Sequence, residues 1–123
     1  MAIRSYRDLE VYQRAYQLAL TVHKATQTFP ASERYELGQQ LRRAATSVPA
    51  NIAEGYGRHS SDEEFRYYLR IAMGSANEVA VLLDMAHDVG ILPREVHEAL
   101  AEQADIVGRQ LHRLIERWNK TPR

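Results

Sequence analysis

The chain has 123 residues with sixteen basic and sixteen acidic side chains, and 45% of it is hydrophobic, the balance of an ordinary globular domain with no net charge. It contains no cysteine, which excludes disulfides, thiolate metal sites and cysteine nucleophiles. A dedicated nucleic-acid module is usually more basic than this, so RNA binding here requires charge segregated on the surface.

The opening MAIRSYRDLE lacks the apolar core of a secretory signal, and no apolar run approaches the ~20 residues of a membrane span, so a soluble, cytoplasmic protein is expected. Apolar residues then recur at three- and four-residue spacing, with no competing strand-like alternation. Helix 1 is predicted over about residues 6–28, with Ser5 as N-cap, Asp8 as its acidic first-turn partner, and an end before Pro30. A turn over 31–37 prepares helix 2, over about 38–56, with Leu41, Ala45, Val48 and Ile52 on its core face. Helix 3, over 61–89, begins with Ser60, Ser61, Glu63 and Glu64 as two overlapping capping boxes and stops at Gly90. Helix 4, over 93–119, opens at Pro93; Glu95 and Glu98 near its start and Arg113 and Arg117 near its end complement the helix dipole. Four amphipathic helices joined by short loops predict one all-α domain over 1–123, an antiparallel up-down-up-down four-helix bundle.

The run SVPANIAEGYGR, residues 47–58, is the unusual part of helix 2. Pro49 removes a backbone donor and clashes with the carbonyl of Ala45, so a kink is expected near it, and Gly55–Gly57 reads as the exit from the helix. Around the circumference, Arg43, Ser47, Asn51, Glu54 and Arg58 form a polar stripe. With Glu78 of helix 3, the residues Arg43, Ser47, Asn51 and Glu54 are expected to make a structural polar cluster, bonded near the kink or to a neighbouring subunit. A third face holds only Thr46, Ala50, Ala53 and Gly57. Two causes fit it: a close-packing face against another chain, or the high helix propensity of alanine. Gly74 and Ser75 in helix 3 suggest close packing against another helix, helix 2 being the candidate.

Catalytic signatures are missing from the pattern. A di-iron bundle needs Glu-x-x-His pairs, and the nearest match is a single Asp84-Met-Ala-His87. There is no G-x-S-x-G elbow, and GYG lacks the Lys-Ser/Thr of a phosphate loop. No catalytic, cofactor-binding or metal residue is therefore assigned. Candidate RNA contacts are Arg42, Arg43 and Arg58, with His59 beside them, and the stripe Arg109, Arg113, Arg117; local pairing such as Asp105 with Arg109 explains the stripe equally.

FPASERYELGQQLRRAATSVPANIAEGYGR, followed by EFRYYLRIAMGSANE, resembles the four-helix-bundle family of 23S rRNA intervening-sequence proteins, and SYRDLEVYQRAYQLA resembles that family's first helix. The most specific parts are Gln40–Ala44, Ser47–Gly55, and Gly74-Ser75 with Glu78. Tyr12 and Gly38 depart from the family's common Trp and Thr/Ser. The resemblance implies a small bundle that assembles into a ring-like homopentamer, with no established enzymatic activity and no cofactor. The function expected is a non-enzymatic oligomeric scaffold that engages structured RNA or an RNA-associated partner. The alternative is a protein–protein adaptor ring that binds a helix or peptide without nucleic acid.

Overall fold

The computed structural model describes residues 3–58 and 60–120, the side chains of 119 and 120 excepted. Ser5 and Asp8 do form a capping box, but the turn they close is a 3-10 helix, Tyr6–Asp8. Leu9 then adopts extended backbone, and the first α-helix, α1, runs Glu10–Thr26. A short helix α2, Ala31–Tyr35, occupies the segment read from sequence as a turn. Three long helices follow: α3 at Leu37–Arg58, α4 at Asp62–Asp88 and α5 at Arg94–Lys120.

Local sequence accounts for most of these ends. Ser61 Oγ accepts the backbone N–H of Glu64, capping α4, while the Glu64 carboxylate accepts from Ser60 N–H and Oγ–H. One shared cap thus replaces the two boxes expected, because Glu63 turns aside to pair with Arg66 and Arg70. At the other end of α4, Gly90 N–H donates to His87 O and Ile91 N–H to Ala86 O, the Schellman pair of bonds. Gly90 sits at φ 88°, where an L side chain is strained. Gly90→Ala is therefore expected to cost about 1–2 kcal/mol, read as a lowered midpoint in thermal unfolding.

The four long helices form an antiparallel bundle. Each packs against two neighbours: α1 and α4 both lie against α3 and α5. The centre is filled by Leu18, Leu41, Ile52, Phe65, Leu69, Leu83, Leu100 and Leu111, all essentially out of water. Each such side chain contributes about 1.5–3 kcal/mol relative to exposure, so burial of these stripes holds the helices together.

Helix α3 continues through Pro49, which is buried and kinks it without ending it. It also continues through Gly55 and Gly57 to Arg58, so these glycines are not its exit. Gly55 has a packing role instead. A Cβ placed there would lie 2.4 Å from Tyr68 Cβ and 3.2 Å from Phe65 Cδ1, so α3 and α4 approach closely only because Gly55 has no side chain. Gly74 has the opposite environment: among the described residues its Cβ position meets nothing within 4 Å, so it faces away from α3 and serves no close packing against it.

Candidate functional site

The seam between α3 and α4 carries the polar chemistry of the SVPANIAEGYGR stretch. Ser47 Oγ lies 2.8 Å from Ser75 Oγ, linking the two helices. Asn51 Nδ2 donates to Ser47 O at 2.8 Å and to Ser47 Oγ at 2.9 Å. Ser47, Asn51 and Ser75 thus satisfy one another half-buried, as polar groups in a packed seam must. The other three residues grouped with them in sequence lie apart. Glu54 pairs with Arg58 at 2.9 Å on the surface, and Arg43 and Glu78 are exposed with no hydrogen bond or ion pair among the described residues.

The small-residue face of α3 points outward. Thr46, Ala50 and Gly57 are exposed and Ala53 is half-buried, and among the described residues no atom comes within 4 Å of a Cβ at Gly57. His23 of α1 lies 3.1 Å from Thr46 Oγ1, so the face of α1 that carries His23 borders this surface. Tyr16 and Leu20 share that α1 face at helical spacing, and both are exposed.

The arginines read as RNA contacts have different surroundings. Arg42 is a structural clamp: Nη1 donates to Thr26 Oγ1 at 3.0 Å and Nη2 to Arg34 O at 3.1 Å, tying α1 and α2 to α3. Arg58 and Arg109 are in i,i+4 pairs with Glu54 and Asp105. Arg43 and Arg113 are exposed without such pairs among the described residues. Arg117 has a partner of its own, and His59 lies outside the described residues.

Arg113, Arg117 and Gln110 line a cleft of about 650 Å³ at the end of the bundle, with Leu9, Glu10, Tyr56 and Trp118. The Glu10 carboxyl there is held below its ordinary value of 4.5 first by a hydrogen bond from Arg14, then by one from Gln110. Behind the cleft, Phe65 meets the ring of Trp118 edge-on at 4.7 Å and that of Tyr56 at 6.1 Å. Elsewhere, the rings of His87 and His97 stack at 4.7 Å, and His97 Nε2 lies 2.8 Å from Asp84 Oδ1. Asp84 and His87, the nearest sequence match to a metal pair, are thus engaged with His97 in different ways. Among the described residues no group of three His, Asp or Glu is placed to hold a metal ion. No helix there is long and apolar enough to cross a membrane.

Periodicity alone does not reveal the Arg42 clamp, which joins segments 8 and 16 residues away. Gly55 did carry a signal: two heptads after Leu41, it falls on the core side of the helix.

These features define a bundle whose distinctive surfaces are packing seams and open helix faces. The chain belongs to the 23S rRNA-intervening sequence protein family, whose model matches residues 7–113. Among solved structures, it is similar to a protein of unknown function from the S23 ribosomal protein family of Bacteroides thetaiotaomicron VPI-5482. The TM-score is 0.77 at 23% identity, covering 90% of this chain and 99% of that one, a likeness of fold. No curated protein matches the chain.

Proposed function

We propose that the chain is a cytoplasmic, non-enzymatic scaffold that assembles with copies of itself and presents a repeated surface to structured RNA or an RNA-associated partner. The observation that carries the proposal is the outward face of α3. A helix face turned to water is best filled with Glu, Lys and Arg, yet Ala50, Ala53 and Gly57 stand there beside the exposed Tyr16 and Leu20. Covering that surface with another copy removes both the apolar exposure and the anomaly. Five copies in a ring is the number the family resemblance implies.

The RNA part rests on the exposed Arg113 beside Arg109 and Arg117 on α5, repeated in each copy, so that weak contacts sum by avidity. Light scattering and a gel shift with structured RNA test the two parts separately. An assembled species that retards RNA, with affinity falling steeply as salt rises, is the expected result. A monomer at micromolar concentration overturns the scaffold. An assembly that ignores RNA at low salt overturns the RNA part and leaves the adaptor ring in its place.

A further inference from the structure

Tyr67, Ile71, Gly74, Glu78, Val81 and Met85 follow one another on α4 at three- and four-residue spacing and so form one stripe along the helix. Tyr67 is 58% exposed, Val81 57% and Met85 49%. The outward face of a surface helix is normally charged; this stripe carries one charge, Glu78, exposed and without a partner among the described residues. Gly74 sits in the same stripe with open space around it. Glycine inside a helix is destabilising relative to alanine, and among the described residues no packing contact at Gly74 offsets that cost.

We infer that this face of α4 binds the α3 face of a second copy of the chain, with Glu78 paired to Arg43 of that copy. The inference rests on the self-assembly proposed above and names the two surfaces that meet. Charge complementarity selects the occupant. Arg43 lies on the outward side of α3, one turn before Thr46, exposed and unpartnered among the described residues, the counterpart of Glu78 on α4.

The charge pair fixes a register, and side-chain size then agrees with it independently. Copies standing side by side about an axis along the bundle keep α3 of one antiparallel to α4 of the next, as within the chain. Both helices rise ~1.5 Å per residue, so seven residues along each from the Arg43–Glu78 pair bring Ala50 opposite Ile71. Another turn brings the Tyr67 ring opposite Ala53 and Gly57, both small enough to leave room for it. Because the two faces lie on different helices of one copy, the contact is head-to-tail, and it makes a ring when its rotation closes on the first copy.

Charge reversal tests the pair. Arg43→Glu and Glu78→Arg, each alone, are expected to weaken association by about tenfold or more, since like charges then face each other. The double variant, with the charges exchanged, is expected to restore it. Helical circular dichroism should be unchanged in all three, because neither side chain has a hydrogen bond or ion pair to lose among the described residues. The absence of native cysteine allows a second readout. Ala50→Cys with Ile71→Cys should oxidise to a ladder of covalent oligomers, while either single cysteine should give no ladder. A wild-type chain that is monomeric overturns the self-assembly itself. A wild-type assembly with no rescue in the double charge variant, and no ladder from the cysteine pair, overturns this pairing and leaves self-assembly standing. Efficient dimers from Ala50→Cys alone also overturn it, since they indicate α3 faces meeting each other.

Discussion

Gly55→Ala is expected to destabilise the protein by about 3 kcal/mol or more, at the upper end of what overpacking costs. The added methyl would sit 2.4 Å from Tyr68 Cβ and 3.0 Å from its Cγ. A Cβ is fixed to its backbone and cannot swing aside, so the clash is relieved only by moving α3 and α4 apart. That opens the seam in which Ser47 meets Ser75 and in which Phe65 is buried. In thermal unfolding the midpoint should fall by roughly 10 °C or more. Gly108→Ala is the matched control. It changes the same chemistry in α5 where nothing lies within 4 Å among the described residues, and it should stabilise by about 0.5–1 kcal/mol through helix propensity. Equal effects at the two glycines would mean that α3 and α4 do not approach as described.

Phe65→Ala should be comparably severe, about 3–5 kcal/mol. Phe65 is completely buried, and its ring is the hub between Tyr56 of α3 and Trp118 of α5. Removing it deletes both edge-on contacts and leaves a cavity where α3, α4 and α5 converge beside the end cleft. Trp118 is the sole tryptophan, so its fluorescence reports the site directly. Emission should shift to the red in the folded variant, and the urea midpoint should fall with the slope unchanged. An unaltered emission spectrum would contradict the packing of Trp118 against Phe65.

The architecture was legible because burial imposes a period. Leu41, Ala45, Val48 and Ile52 recur on one side of α3 for the same reason that they are now out of water. Termini governed by neighbouring residues were also legible: Ser61 with Glu64, and Gly90 with its left-handed backbone. Ser5 shows the limit of local rules. Its capping box with Asp8 formed, but a 3-10 turn used it and α1 began one turn later.

Legibility failed where function depends on which long-range neighbour a side chain finds. Arg42 looked like a surface cation, yet it reaches Thr26 and a backbone carbonyl of α2. Gly55 and Gly74 exchange the roles their sequence contexts suggested, one meeting Tyr68 and the other open space. Of the polar stripe on α3, Ser47 and Asn51 turn into the seam while Arg43 and Glu54 stay outside it, a division set by where α4 lies. The apolar stripe of α4 was hidden for a related reason. Its members interleave with core residues such as Leu69, Val79 and Leu83, so the helix reads as apolar on more than one side without saying which side is left open.

The most direct measurement of the central claim is the mass of the wild-type protein in solution, by sedimentation or light scattering at micromolar concentration. A scaffold that closes on itself through α3 and α4 predicts a single species at a small integral multiple of the 14.1 kDa chain, five copies being expected. A stable species of 14.1 kDa across that range would contradict it.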